Sequence, residues 1–146
     1  MRSRRAGTFC CSSGFQDFAL ARYKLKPDGT LDTSFGSGGK VTTDLGGIQD
    51  AAFALAIQAD GKLVAAGVSD VGGSSDFALA RYNTDGTPDP SFGSAGKVIT
   101  DFSGSDSDDY AYALAIQSDA KFSREVFPMP TGSTTSPWPA TTLMGP

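Results

Sequence analysis

The heptapeptide Asp-Phe-Ala-Leu-Ala-Arg-Tyr occurs twice without change, at residues 17–23 and 76–82. Two identical copies in so short a chain mean duplication, and a fixed period restricts the fold to repeat architectures before any other signal is read. The interval from Asp17 to Asp76 equals that from Ala54 to Ala113, where the two occurrences of Ala-Leu-Ala-Ile-Gln begin. Between them the interval is slightly shorter: Asp28-Gly29-Thr30 returns at Asp85, Ser34-Phe35-Gly36 at Ser91 and Gly39-Lys40-Val41 at Gly96. The difference falls in a longer first turn at residues 24–27 and in the acidic stretch at residues 103–109. Loops tolerate such length changes and packed strands do not.

Within a period the residues read as short strands. Phe18, Leu20 and Arg22 alternate with Ala19, Ala21 and Tyr23, as on a strand with small residues on one face. Helix competes for this string and for residues 51–58, because Ala, Leu and Arg are good helix formers. Strand is preferred, since Gly46-Gly47 and Asp60-Gly61 confine the second stretch to a length short for a helix. Ala59-Asp60-Gly61 reads as a hairpin connection, the glycine supplying a positive φ without steric cost. With residues 54–58, 62–68, 77–82 and 97–100 extended, each period of about 57 residues holds four short strands, the content of one β-propeller blade. Composition agrees: glycine is frequent at 18, and all acidic residues but Glu125 are aspartate, which suits turns where glutamate suits helices. The fold class expected is therefore all-β, with tandem four-stranded antiparallel blades of an incomplete β-propeller.

The strings at residues 17–23, 28–36, 39–44 and 54–67 resemble the delta-60 repeat, and the resemblance covers about residues 17–121. That family is of unknown function and is associated with β-propellers in large, often exported or surface bacterial proteins. The resemblance implies a fold and an extracellular or cell-surface location; it carries no agreed catalytic, cofactor or metal residues. The chain divides into a remnant of a preceding repeat (1–16), a first repeat (17–75), a truncated second repeat (76–124) and a Pro/Ser/Thr-rich tail (125–146) expected to be disordered. After Asp119 the expected Gly-Lys-Leu-Val is replaced by Ala120-Lys121-Phe122-Ser123, so the chain reads as a fragment of a longer repeat protein, with its ends open to a shifted reading frame.

Charge and composition exclude several functions. A net charge of −4 argues against nucleic acid and anionic membrane, both of which need a basic face. The absence of histidine removes the commonest general base and metal ligand. Cys10 and Cys11 are adjacent, which fits no zinc spacing; the only disulfide open to them is vicinal, and it is not expected. No run reaches the length of a membrane span, and residues 1–5 are basic without the apolar stretch of a signal peptide.

The candidate sites are few. Asn83, Asp85, Gly86 and Asp89 resemble half of a calcium loop, but the first copy has Lys26 where a ligand is needed, and Asx-turn chemistry is the preferred reading. Asp106, Asp108 and Asp109 read as a solvated acidic loop. Arg22 and Arg81 could bind an anion; the preferred reading is a structural ion pair with the recurring Asp17, Asp44, Asp76 or Asp101. Phe18, Phe35, Phe77 and Phe92 read as core, and Trp138 as part of the tail. The expectation is a non-catalytic repeat module, a scaffold or adhesion surface without cofactor. Its partners would be further repeats or copies associating through exposed sheet edges, with no nucleic acid and no membrane insertion. The alternative is a calcium-dependent ligand binder or an enzymatic propeller whose site needs additional blades.

Overall fold

The computed structural model describes residues 2–10, 15–24, 29–102, 104, 107–117 and 122–123, the segments 2–10 and 122–123 by their backbone. Every regular element among them is a strand: β1 (Arg2–Cys10), β2 (Gln16–Lys24), β3 (Lys40–Thr43), β4 (Asp50–Ile57), β5 (Leu63–Ser69), β6 (Asp76–Tyr82), β7 (Lys97–Thr100), β8 (Ala115–Ile116) and β9 (Phe122–Ser123). They form three antiparallel sheets, ordered β1-β2-β3, β4-β5-β6-β7 and β8-β9. The middle sheet is a complete four-stranded meander, the blade of a β-propeller. Helix formers in β4 and β6 are overridden because each strand is flanked by turn residues and has a partner on both sides or a face to bury. Among the described residues no helix is long and apolar enough to cross a membrane.

The sheets are out of phase with the sequence period. Residues 17–75 give β2 and β3 to the first sheet and β4 and β5 to the second, so the sequence unit straddles two blades. The hairpin at residues 58–62 closes as the sequence predicts: Gln58 N–H donates to Lys62 O at 2.9 Å, and Gly61 adopts φ +83°. The longer first turn at 25–27, Cys11, Asp106, Trp138 and the 125–146 tail lie outside the described residues.

Packing between the first two sheets explains the alternation in the heptapeptide. Phe18 and Leu20 of β2, with Phe35, meet Leu63 and Ala65 of β5 and Ala78, Ala80 and Tyr82 of β6 in one buried cluster. The large face of one sheet thus fills space that small residues leave on the next, which is how facing layers reach close packing. Tyr82 closes this layer: its hydroxyl donates to Thr43 Oγ1 on β3 at 2.8 Å, and burial pushes its pKa up to about 12. On the far side of the second sheet Phe77 and Ala66 form the next cluster with Ala111, against which Leu79 and Leu114 pack.

Candidate functional site

Two side-chain constellations recur once per repeat, at opposite ends of the strands. The first is built on the arginine of the heptapeptide. Arg22 is 2% exposed, its Nε lies 3.1 Å from Asp32 Oδ2, and its Cζ stands 4.7 Å from the centre of the Phe35 ring. Its Nη2 donates to Ser34 Oγ at 2.8 Å, and Ser34 Oγ in turn donates to Asp32 Oδ1 at 2.7 Å. The remaining donor crosses to the next sheet: Nη1 donates to the carbonyl of Thr84 at 2.6 Å, in the turn after β6. That turn is fixed to the first sheet by Gly36 N–H donating to Asp85 O at 2.7 Å. Gly86, at φ +92°, lies so close to the Phe35 ring that a Cβ would come within 2.8 Å of it.

Arg81, Asp89, Ser91 and Phe92 repeat the arrangement in the second sheet. Arg81 Nε is 2.8 Å from Asp89 Oδ2, Nη2 donates to Ser91 Oγ at 3.0 Å, and Cζ stands 4.6 Å from the Phe92 ring centre. Here the socket is partly exposed, the Arg81 side chain at 18%, and among the described residues no carbonyl takes the place that Thr84 O has on Arg22. Lys62 also reaches Asp89, at 2.8 Å.

The arginines therefore do form ion pairs, but their partners are Asp32 and Asp89, which corrects the expectation of Asp17, Asp44, Asp76 or Asp101. The reason is geometric. Asp17 and Arg22 stand at opposite ends of one strand, about 16 Å apart along it, whereas the turn from β2 to β3 brings Asp32 beside the guanidinium; Asp32 N–H donates to Arg22 O at 2.8 Å. The signal that could have found them is present, since Asp32 and Asp89 keep the same offset as Ser34 and Ser91.

The half calcium loop does not assemble. Asp85 Oδ1 accepts from Thr87 N–H and Oγ1 at 2.9 and 2.7 Å, Asn83 Nδ2 donates to Thr87 Oγ1 at 3.0 Å, and Asp89 is held by Lys62 and Arg81. This is a turn stabilised by its own side chains. The Thr87 hydrogen bonds lower the Asp85 pKa. Phe18, Phe35 and Phe77 are buried and Phe92 is half-buried.

Lys62, then Ser91, with Arg81 beside them, hold the Asp89 carboxyl well below the usual carboxylate range. A depressed folded-state pKa contributes stability that is complete above the unfolded value of about 4 and is lost as pH falls below it. In urea titrations the stability difference between the native chain and Asp89→Asn is expected to be constant above pH ~5 and to shrink below pH ~4. Parallel curves down to acid pH would contradict this.

The second constellation is acidic. One carboxylate oxygen each from Asp17, Asp44 and Asp50 lie within 4.8 Å of one another, and so do those of Asp76, Asp101 and Asp109. The two triads occupy matching positions, each member of the second standing one repeat after its counterpart in the first. Each sits where one sheet hands the chain to the next: the start of β2, the end of β3 and the start of β4 for the first. The backbone donors match as well, Leu45 N–H to Asp50 at 2.6 Å and Phe102 N–H to Asp109 at 2.8 Å, Gly46 N–H to Asp44 and Gly104 N–H to Asp101, both at 2.6 Å. Burial raises the pKa of Asp50 against the opposing Ser69 hydrogen bond, and burial followed by the charges of Asp101, Asp109 and Asp108 raises that of Asp76. Asp109 thus belongs to an interblade cluster, while Asp108 accepts from Ser75 N–H at 3.0 Å. The triads do carry a sequence signal, the interval from Asp50 to Asp109 being the same as that from Asp17 to Asp76, but the loops that lead to Asp50 and Asp109 differ in composition.

The four-stranded meander, with a neighbouring sheet packed against its small residues, is consistent with a β-propeller blade. Residues 6–35 and 58–92 match the family described as a domain of unknown function (DUF5122) beta-propeller. Both matched stretches end on the phenylalanine beneath the arginine, Phe35 and Phe92, and so span the same two strands and socket of successive repeats. No curated protein and no solved structure matches the chain.

Proposed function

We propose that the chain is a non-catalytic β-propeller repeat module of the delta-60 type, serving as a scaffold or interaction surface of a larger exported bacterial protein. Its partners are further repeats of the same kind. The observation that carries this reading is the socket: Arg22, Asp32, Ser34 and Phe35 receive the Thr84 to Gly86 turn of the following sheet, and Arg81, Asp89, Ser91 and Phe92 present the same shape to a next one. Recurring polar residues thereby serve blade-to-blade docking, as stacked repeats require. The resemblance to exported repeat proteins supports the location.

Sedimentation over a concentration series tests the docking role. The chain is expected to associate beyond its 15.1 kDa monomer, and the doubly substituted Leu79→Asp/Arg81→Glu chain to associate less while retaining its β-type circular dichroism. A compact, cooperatively melting monomer at every concentration, indifferent to these substitutions, would overturn the reading.

A further inference from the structure

We propose that the aspartate triad of Asp76, Asp101 and Asp109 is a binding site for a hard divalent cation, calcium by its ligand chemistry, at the edge between the second sheet and the segment that follows it. Three carboxylates meet there from three separate stretches of chain: the first residue of β6, the residue after β7 and the loop leading to β8. Such a gathering is repulsive on its own account, since like charges this close oppose one another.

An acidic cluster alone is common on protein surfaces, but Asp76 is not a surface residue. It is 7% exposed, its carboxylate enters the triad, and its Oδ1 is buried without a hydrogen-bond partner among the described residues. A buried carboxylate oxygen without a donor is costly unless a positive charge faces it. Asp101 and Asp109 are held by backbone N–H groups from Gly104 and Phe102, which fixes these two carboxylates relative to Asp76 before any ion arrives.

The donor set selects the ion. All the ligands are carboxylate oxygens, which suit a hard cation, and two ligands of one calcium ion at about 2.4 Å stand up to about 4.8 Å apart, a limit that the three oxygens meet. Calcium also accepts irregular geometry and completes its shell with water or backbone carbonyls, where magnesium demands a near-ideal octahedron. The corresponding triad of the preceding junction is braced differently. Asp50 there takes Ser69 Oγ on one oxygen and Leu45 N–H on the other, and Lys97 Nζ donates to the Asp44 carbonyl at 2.5 Å. The proposal is therefore confined to the second triad, and it does not depend on the scaffold reading above.

Calorimetric titration of the full chain with calcium chloride, repeated with magnesium chloride, tests it. Saturable calcium binding in the ~10⁻⁴ to 10⁻³ M range of extracellular modules is expected, with weaker magnesium binding. Asp101→Asn, on an exposed residue, should weaken calcium at least tenfold, as should Asp76→Asn, and Asp60→Asn in the distant hairpin should leave it unchanged. Circular dichroism of each variant confirms that the fold persists, and Asp101→Asn keeps the test decisive if Asp76→Asn does not fold. No saturable binding, or calcium binding that survives both triad substitutions, would overturn the proposal; the second result would place the ion elsewhere.

Discussion

Arg22→Leu is expected to lower the unfolding free energy by about 3–5 kcal/mol, the usual cost of removing one partner of a buried ion pair. The guanidinium is 2% exposed and binds the side chains of Asp32 and Ser34 and a carbonyl of the adjacent sheet. Leucine would fill part of the volume and leave the 4% exposed Asp32 carboxylate without that charge. The same substitution at Arg81 should cost much less, about 1 kcal/mol, because that socket is partly exposed and Lys62 stays on Asp89. Urea denaturation followed by circular dichroism compares the two, and a loss at Arg22 no larger than about 1 kcal/mol would show that the sheet junction does not depend on it. The paired change Arg22→Met/Asp32→Leu should recover part of the loss, since replacing both members by apolar groups removes the stranded charge.

Gly67→Ala should be as damaging for a different reason. β4 and β5 shift register between Ala52 and Ala54, and Gly67 pairs with Ala52 beside that irregularity. A Cβ on Gly67 would collide with the carbonyl oxygen of Ala51 and lie 2.8 Å from its carbon. Both obstacles are backbone, so no side chain can swing away and the two strands must separate. The expected cost is about 3 kcal/mol or more, the upper end of overpacking. Gly72→Ala, where the nearest atom is a side-chain oxygen 3.9 Å away, should stay within about 0.5 kcal/mol. Thermal melts of the two variants check this, and similar midpoints would mean that the bulge yields freely.

What could be read from the sequence was what repetition and alternation encode. The strands of the second sheet fall within a residue or a few of the expected stretches at 54–58, 62–68, 77–82 and 97–100, because turn residues bound them. The buried face of Phe18, Leu20 and Arg22 follows from alternation alone. Long-range pairing was not legible. Recurrence marks Asp32 and Asp50 as fixed members of the repeat, but it does not say that the loop before β3 folds Asp32 onto Arg22, nor that Asp50, beyond a Gly-Gly turn, comes back to Asp17. The blade boundary was hidden for a related reason: the most conspicuous string lies on a third strand, while a sheet begins at the less conspicuous Asp50. The bulge that turns Phe53 outward, 45% exposed and 5.3 Å from Tyr112, interrupts alternation and has no marker in composition.

The identical strings on β2 and β6 bear on how the gene can change length. Ala6 pairs with Leu20 and Gly7 with Ala19, just as Ala66 pairs with Leu79 and Gly67 with Ala78. An unequal crossover between the two coding copies, joining residue 19 to residue 79, would delete one whole period and set β1 against the rest of β6 in the alignment it already has. Such an exchange alters how many sheets the gene encodes and leaves every strand with a neighbour of the kind it had before.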